Sequence, residues 1–72
     1  MGEEEARFWV ERWLRERCGS EAVYCEQVRS GAVRVRVGTG WLRAEVVLWQ
    51  EDLLTTLHDE LAIECDRIQF VY

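Results

Sequence analysis

The fold is decided by residues 31–61, GAVRVRVGTGWLRAEVVLWQEDLLTTLHDEL, because the spacing of the apolar residues changes within them. The valines of residues 33–37 alternate with two arginines, which is the two-residue period of a half-buried strand. After Gly38, apolar residues recur at three- and four-residue spacing, the period of one helical face. These residues are Leu42, Val46, Trp49, Leu53, Leu57 and Leu61. We predict a strand and then one continuous helix over residues 40–62, about 34 Å long at 1.5 Å per residue, with Thr39 as its N-cap.

Weaker patterns flank this segment on both sides. Residues 22–28 contain strand-forming residues, and the turn residues Ser30-Gly31 join them to residues 32–37 as a hairpin. At the end of the chain Ile68, Phe70 and Tyr72 alternate with other residues, which predicts a last strand. The N-terminal segment has the spacing of a helix that ends before Gly19. Its predicted buried face consists of Ala6, Trp9, Val10, Trp13, Leu14 and Cys18.

The predicted element order is therefore α-β-β-α-β. Such an order predicts an α+β fold, a two-layer sandwich in which two helices cover one face of a three-stranded sheet. The length of 72 residues allows one domain, residues 1–72.

Composition restricts the classes of protein to which the chain can belong. Hydrophobic residues make up 49% of it, which is too many for a disordered chain. No apolar run approaches the roughly 20 residues of a membrane span, and the acidic N-terminus is unlike a signal peptide, so we expect a cytoplasmic protein. The net charge is −5, and residues 51–72 carry six acidic residues against Arg67 alone. This acidity disfavours tight binding of nucleic acid.

Residues with catalytic or metal-binding chemistry are scarce. The sequence contains no GxSxG, P-loop, GxGxxG or HExxH motif. The one histidine, His58, is predicted to lie on a helix surface, and the spacing of Cys18, Cys25 and Cys65 matches no common zinc-ligand pattern. We therefore predict that the protein is not an enzyme and that it has no cofactor and no metal site.

Arginine residues of the hairpin form the first candidate binding surface. Arg29, Arg34 and Arg36, with Arg43 near them, are predicted to line the open face of the sheet, where guanidinium groups can bind phosphates or carboxylates. Outward charges also keep a sheet soluble, and no aromatic residue was expected among these arginines as a platform for stacked bases. Both interpretations stay open at this point.

Tryptophan residues form the second candidate surface. The sequence has four of them, and a domain of this size buries two or three, so an exposed one is a candidate anchor for a partner. Trp41 and Trp49, together with Arg43, are the predicted partner-binding residues. The alternative is that the indole rings pack the helices against each other.

The same residues carry a resemblance to a known bacterial family. The run from Trp13 to Gly19, followed by a strand and residues 30–37, resembles the opening of the DciA family. The next stretch is similar to it in Glu45-Val46, Leu53-Leu54 and Leu57-His58, and Ile68 and Phe70 are similar to its closing strand. The resemblance implies a KH-like fold and a role in loading or recruiting the replicative helicase, with DNA binding in some members. The sequence has no GxxG loop of the kind by which KH domains hold nucleic acid.

Sequence analysis thus predicts a non-catalytic, KH-like adaptor that binds another protein, with the replicative helicase as the implied partner. Two alternatives remain, a weak DNA- or RNA-binding domain that uses Arg29, Arg34 and Arg36, and a homo-oligomeric structural module. No membrane association is expected.

Overall fold

The computed structural model describes residues 2–71, so Met1 and the predicted strand residue Tyr72 lie outside the described part of the chain. Residues 2–71 form three helices and three strands: α1 (Glu3–Cys18), β1 (Val23–Arg29), β2 (Ala32–Val37), α2 (Gly40–Leu48), α3 (Gln50–Leu61) and β3 (Arg67–Phe70). The α+β class and the three-stranded sheet are confirmed. The predicted order α-β-β-α-β, with two helices, is wrong, because the observed order is α-β-β-α-α-β.

The sheet is mixed, with β2 in its centre. β1 and β2 form the predicted antiparallel hairpin, and β3 returns parallel to β2 after the two helices. A β-bulge lies between Cys25 and Gln27, where the pairing of β1 with β2 shifts by one residue. Because an extra residue in a strand reverses the alternation of its side chains, Val28 rather than Gln27 faces the core.

All three helices contribute to one hydrophobic core on one face of the sheet. α1 packs against β1, α2 against β2 and α3 against β3. The core consists of Ala6, Val10, Trp13, Leu14, Val23, Cys25, Val28, Val33, Val35, Leu42, Val46, Leu53 and Leu57. Full burial of a valine or leucine side chain contributes about 1.5–3 kcal/mol, so these residues account for most of the stabilisation.

The predicted continuous helix over residues 40–62 is divided at Trp49, which is a correction to the sequence analysis. Trp49 has φ −92° and ψ 1°, outside helical geometry, and its N–H points at the carbonyls of both Glu45 and Val46. A straight helix of this length would be about 34 Å long, whereas the longest axis of the molecule is 29 Å. The break keeps both halves in contact with the sheet and with α1.

The predicted helix boundaries at two other residues are confirmed. Gly19 follows α1 with φ 66°, the left-handed conformation that glycine adopts without steric cost, and its N–H donates to the carbonyl of Arg15. Thr39 occupies the N-cap position of α2, although its side chain makes no capping hydrogen bond.

The outer edge of β1 is closed by two side chains of α1. The side chain of Glu11 accepts a hydrogen bond from the N–H of Cys25 at 3.1 Å. Arg15 Nε donates to the carbonyl of Val23 at 2.9 Å, and the two side chains lie 3.6 Å apart as an ion pair. Backbone groups that would otherwise be open to pairing with another strand are therefore satisfied by α1.

Candidate functional site

The outward side of α2 is apolar. Trp41 is 59% exposed, Leu48 is 76% exposed and Val47 is 50% exposed. Ala44 lies among them and is also exposed. Because Leu42 and Val46 turn inward, the spacing of residues 41, 44 and 48 brings their side chains to one side of the helix. We call the surface formed by Trp41, Ala44, Val47 and Leu48 the α2 apolar face.

This surface departs from the usual pattern of a helix at a protein surface. Such a helix has one apolar stripe toward the core and polar residues on the opposite side. α2 has its inward stripe and a second apolar surface turned to solvent, while its charged residues are restricted to Arg43 and Glu45. Contiguous exposed apolar patches of this kind mark interaction sites in soluble proteins.

The predicted partner-binding residues do not form one group. Trp49 is half-buried and lies in an indole cluster, edge-on to Trp13 with ring centroids 6.1 Å apart. Trp9 stacks on the other side of that cluster at 6.4 Å from Trp13. Trp41 lies apart from them on the α2 apolar face. Arg43 is also exposed, but it lies two positions along α2 and therefore on another side of the helix. The guanidinium of Arg43 lies 4.8 Å from the ring centroid of Phe70.

The predicted nucleic-acid-binding arginines differ in their partners. Arg29 forms an ion pair with Glu3 at 3.3 Å, and Arg36 forms one with Glu26 at 2.8 Å. Arg34 is exposed, and no acidic side chain of residues 2–71 lies within ion-pair distance of it. The cationic surface is therefore weaker than the sequence suggests, because two of the three charges are compensated.

One aromatic ring does lie among these arginines. Tyr24 is 36% exposed and is the cross-strand partner of Arg36, whose guanidinium lies 4.5 Å from the ring centroid. Arg15 approaches the same ring at 5.3 Å. The expectation of an open face without aromatic residues is therefore wrong. Strand alternation places Tyr24 on that face, because its neighbours Val23 and Cys25 face the core.

The exposed side of α3 is acidic. Glu51 and Asp52 lie in its first turn, and Asp59 and Glu60 lie near its end. His58 contacts Asp59 at 3.3 Å and Glu64 at 3.5 Å. Within residues 2–71 no cation pairs with Glu51, Asp52 or Glu60. This side of the molecule therefore carries uncompensated negative charge.

The cysteine thiols favour their protonated state. Burial raises the pKa of all three, and the pKa of Cys25 reaches about 12. Cys25 Sγ lies 3.8 Å from the carbonyl of Gln27. Among residues 2–71 no group of three or more histidine, cysteine, aspartate or glutamate side chains could hold a metal ion.

Of the residues of the α2 apolar face, Trp41 is predicted from the sequence, whereas Ala44, Val47 and Leu48 are not. The signal was present in the run Val46-Val47-Leu48, where three consecutive apolar residues cannot all face inward on a helix. Only Val46 is buried. The segment of α2 has more apolar residues than its inward stripe needs, and this excess is the pattern that indicates the α2 apolar face.

No helix within residues 2–71 is long and apolar enough to cross a membrane. Comparison of the chain with protein-family models and with curated proteins found no match.

Proposed function

We propose that this chain is a non-catalytic module that binds another protein through the α2 apolar face. The observation that carries the proposal is the exposure of Trp41, Val47 and Leu48 on one side of a single short helix. Burying such side chains against a partner removes apolar surface from water, at about 25 cal/mol per Å². Tryptophan is also enriched among the residues that dominate binding energies at interfaces.

The partner that the sequence implies is the replicative helicase, through the resemblance to the DciA family. α2 lies within the stretch that carries the resemblance, since Glu45-Val46 belongs to it. A KH-like fold is part of the same proposal, and the mixed sheet with its helices on one face supports it. The break between α2 and α3 consists of Leu48-Trp49-Gln50 and has no glycine. A KH domain holds the nucleic-acid backbone at a GxxG loop, so its absence favours a protein partner.

Purified replicative helicase and the purified chain test this proposal directly. The helicase is immobilised on a sensor surface, and the affinity for it is measured for the wild type, for Trp41→Ser and for Leu48→Ser. Phe8→Ser is the matched control, because Phe8 is 57% exposed on α1, nearly as much as Trp41. We expect binding by the wild type and the control, and a loss of about tenfold or more in the two α2 variants, as for an interface hot spot.

The outcomes separate the two parts of the proposal. Equal binding by all four proteins would remove the α2 apolar face as the site. Absence of binding by the folded wild type, with an active helicase, would remove the helicase as the partner. Circular dichroism of each variant verifies that the fold is intact.

A second candidate function is binding of single-stranded nucleic acid on the open face of the sheet. The observation that favours it is the stack of Arg36 on Tyr24, together with Arg34 on the same strand, which has no acidic partner within residues 2–71. An aromatic ring with neighbouring cations is the arrangement on which bases stack. The ion pairs of Arg29 and Arg36 weigh against it, since phosphate binding must compete with Glu3 and Glu26.

A further inference from the structure

The acidic side of α3 continues the α2 apolar face. The inward residues Leu42, Val46, Leu53 and Leu57 keep helical spacing through the break at Trp49, and all four are buried. Since the inward sides of the two helices are in phase, their outward sides also adjoin. Glu51 and Asp52 follow Leu48 by three and four residues, which is one helical turn. The surface therefore passes from apolar on α2 to acidic on α3.

The acidic residues of α3 stabilise the helix in its first turn but not in its last turn. Acidic residues in the first turn, such as Glu51 and Asp52, interact favourably with the positive end of the helix dipole. Asp59 and Glu60 lie in the last turn, where negative charge interacts unfavourably with the dipole. The C-terminal acidic residues are thus retained against the local electrostatic preference of the helix. Of these two residues, Asp59 contacts His58 of the same helix at 3.3 Å, and Glu60 has no cation within ion-pair distance among residues 2–71.

We infer that the occupant of the α2 apolar face is a basic amphipathic helix of a partner protein, which lies along both α2 and α3. Its apolar residues contact Trp41, Val47 and Leu48, and its lysines or arginines lie over Glu51 and Asp52. This inference rests on the proposed function and specifies the chemistry of the partner at the same surface. α2 and α3 have 9 and 12 residues, so a partner helix of about 20 residues matches their combined length.

Charge and size disfavour a second copy of this chain as the occupant. Two copies would bring together two chains of net charge −5 with their acidic α3 sides near the contact. Like charges at an interface are unfavourable, whereas a basic segment gains attraction. The α2 apolar face also comprises only four residues, while a stable interface draws on roughly 20–30 residues per partner. A partner that extends over α3 enlarges the contact.

Three synthetic peptides of about 20 residues test the inference. The first is a leucine–lysine helix with leucine at three- and four-residue spacing. In the second, glutamate replaces every lysine. The third has the composition of the first in a scrambled order, which removes the apolar side. Affinity for the full chain is measured by fluorescence anisotropy of the labelled peptide at about 50 mM and about 300 mM salt.

Two variants, each with a matched control, separate the apolar from the acidic contribution. Leu48→Ser is compared with Phe8→Ser, which removes an exposed apolar side chain of α1. Glu51→Gln combined with Asp52→Asn is compared with Glu16→Gln combined with Glu21→Gln, which removes the same charge from exposed positions elsewhere. Sedimentation of the unbound chain determines whether it associates with itself.

We expect the leucine–lysine peptide to bind more tightly than the other two and to weaken at high salt. Leu48→Ser should weaken it about tenfold, and neutralisation of Glu51 and Asp52 about fivefold, with little change in the control variants. The inference is overturned if the glutamate peptide binds as tightly, if neither designed helix binds, or if the two neutralised variants behave alike. Self-association that is lost in Leu48→Ser would also overturn it, in favour of a second copy.

Failure of the proposed function has a different result. If some peptide binds but Leu48→Ser and Trp41→Ser bind it as tightly as the wild type, the α2 apolar face is not the site. If Leu48 is needed but charge has no effect, the proposed function stands and only the basic character of the partner is wrong.

Discussion

At the scale of single residues, Cys25 shows how burial controls chemistry in this protein. Its side chain is 3% exposed on the inner side of β1, and burial raises the pKa of the thiol from 9.0 to about 12. The thiolate is the reactive form of cysteine, so this residue is inert at neutral pH. Cys18 and Cys65 are less buried, and burial raises their pKa values in the same direction.

The stability of the protein should therefore fall at alkaline pH. Above pH 9 the unfolded chain releases the Cys25 proton, while the folded chain retains it up to about pH 12. Since the folded state binds more protons, the free energy of unfolding decreases in this range by up to about 1.4 kcal/mol per pH unit for this thiol. Urea unfolding at several pH values between 7.5 and 11 measures the slope. Cys25→Ala should have a shallower slope, and equal slopes would contradict the assignment.

Ala62 lies in a backbone conformation that suits glycine. It follows α3 with φ 55° and ψ 32°, and the left-handed region costs a non-glycine residue about 1–2 kcal/mol. We expect Ala62→Gly to raise the free energy of unfolding by about 0.5–1 kcal/mol, after the greater freedom of glycine in the unfolded chain is included. Ala44→Gly, in the interior of α2, should instead lower it by about 1 kcal/mol. Thermal or urea unfolding gives both values, and the same sign for both changes would contradict this reading.

At the scale of elements, α1 acts on β1 through polar side chains as well as through its apolar stripe. Glu11 and Arg15 are four positions apart, one helical turn, and they contact Cys25 and Val23, which are two positions apart on β1. The helix thereby takes the place of a fourth strand along this edge. Within residues 2–71, the helix that packs against the other edge strand, β3, is α3.

Removal of the arginine should open this edge. In Arg15→Met the aliphatic stem is kept, but the carbonyl of Val23 loses its donor, and we expect the free energy of unfolding to fall by about 1–2 kcal/mol. Arg12→Met is the control, because Arg12 is exposed on the same helix. Urea unfolding measures both, and amide hydrogen exchange at Cys25 should increase in Glu11→Ala. A control variant as destabilised as Arg15→Met would show that the edge contact contributes nothing.

The elements also show what could be predicted from the sequence. The valine alternation of β2 located the hairpin, because a strand with one buried face has a strict two-residue period. The apolar stripe identified every buried residue of α2 and α3 but not the break between them. The stripe continues in phase across Trp49, so periodicity contains no signal of the break. It depends on the packing of Trp49 against Trp13, 36 positions earlier in the chain.

At the scale of the whole molecule, ion pairs between residues distant in the sequence determine which charges are compensated. Local sequence patterns do not predict these pairs. Glu3 meets Arg29 across 26 positions of sequence, and Glu26 meets Arg36 across 10. These contacts compensate Arg29 and Arg36 but not Arg34. Among residues 2–71, Glu51, Asp52 and Glu60 of α3 have no cation within ion-pair distance. The candidate binding residues could be selected by type from the sequence, but their availability depends on the tertiary fold.

Nucleic acid should therefore bind weakly and only at low salt. We expect a labelled single-stranded oligonucleotide to bind at about 20 mM salt and to be released at about 150 mM, because few phosphates can be neutralised. Fluorescence anisotropy measures this for the wild type, for a triple variant with Arg29, Arg34 and Arg36 changed to alanine, and for Glu26→Gln, which frees Arg36. The triple variant should lose binding and Glu26→Gln should gain it. Tight binding at about 150 mM salt by the wild type would instead favour the second candidate function.

Because Trp41 is separate from the other three indoles, the intrinsic tryptophan fluorescence of the protein can report on the α2 apolar face. Trp9, Trp13 and Trp49 share one cluster, whereas Trp41 faces solvent. Acrylamide should quench one fraction of the emission, at the red side of the spectrum, and leave the emission of the clustered rings. A ligand that covers α2 would shield that fraction and shift it to shorter wavelength. Binding at this surface can thus be followed in unlabelled protein. The same spectrum distinguishes binding from unfolding, because unfolding exposes all four rings.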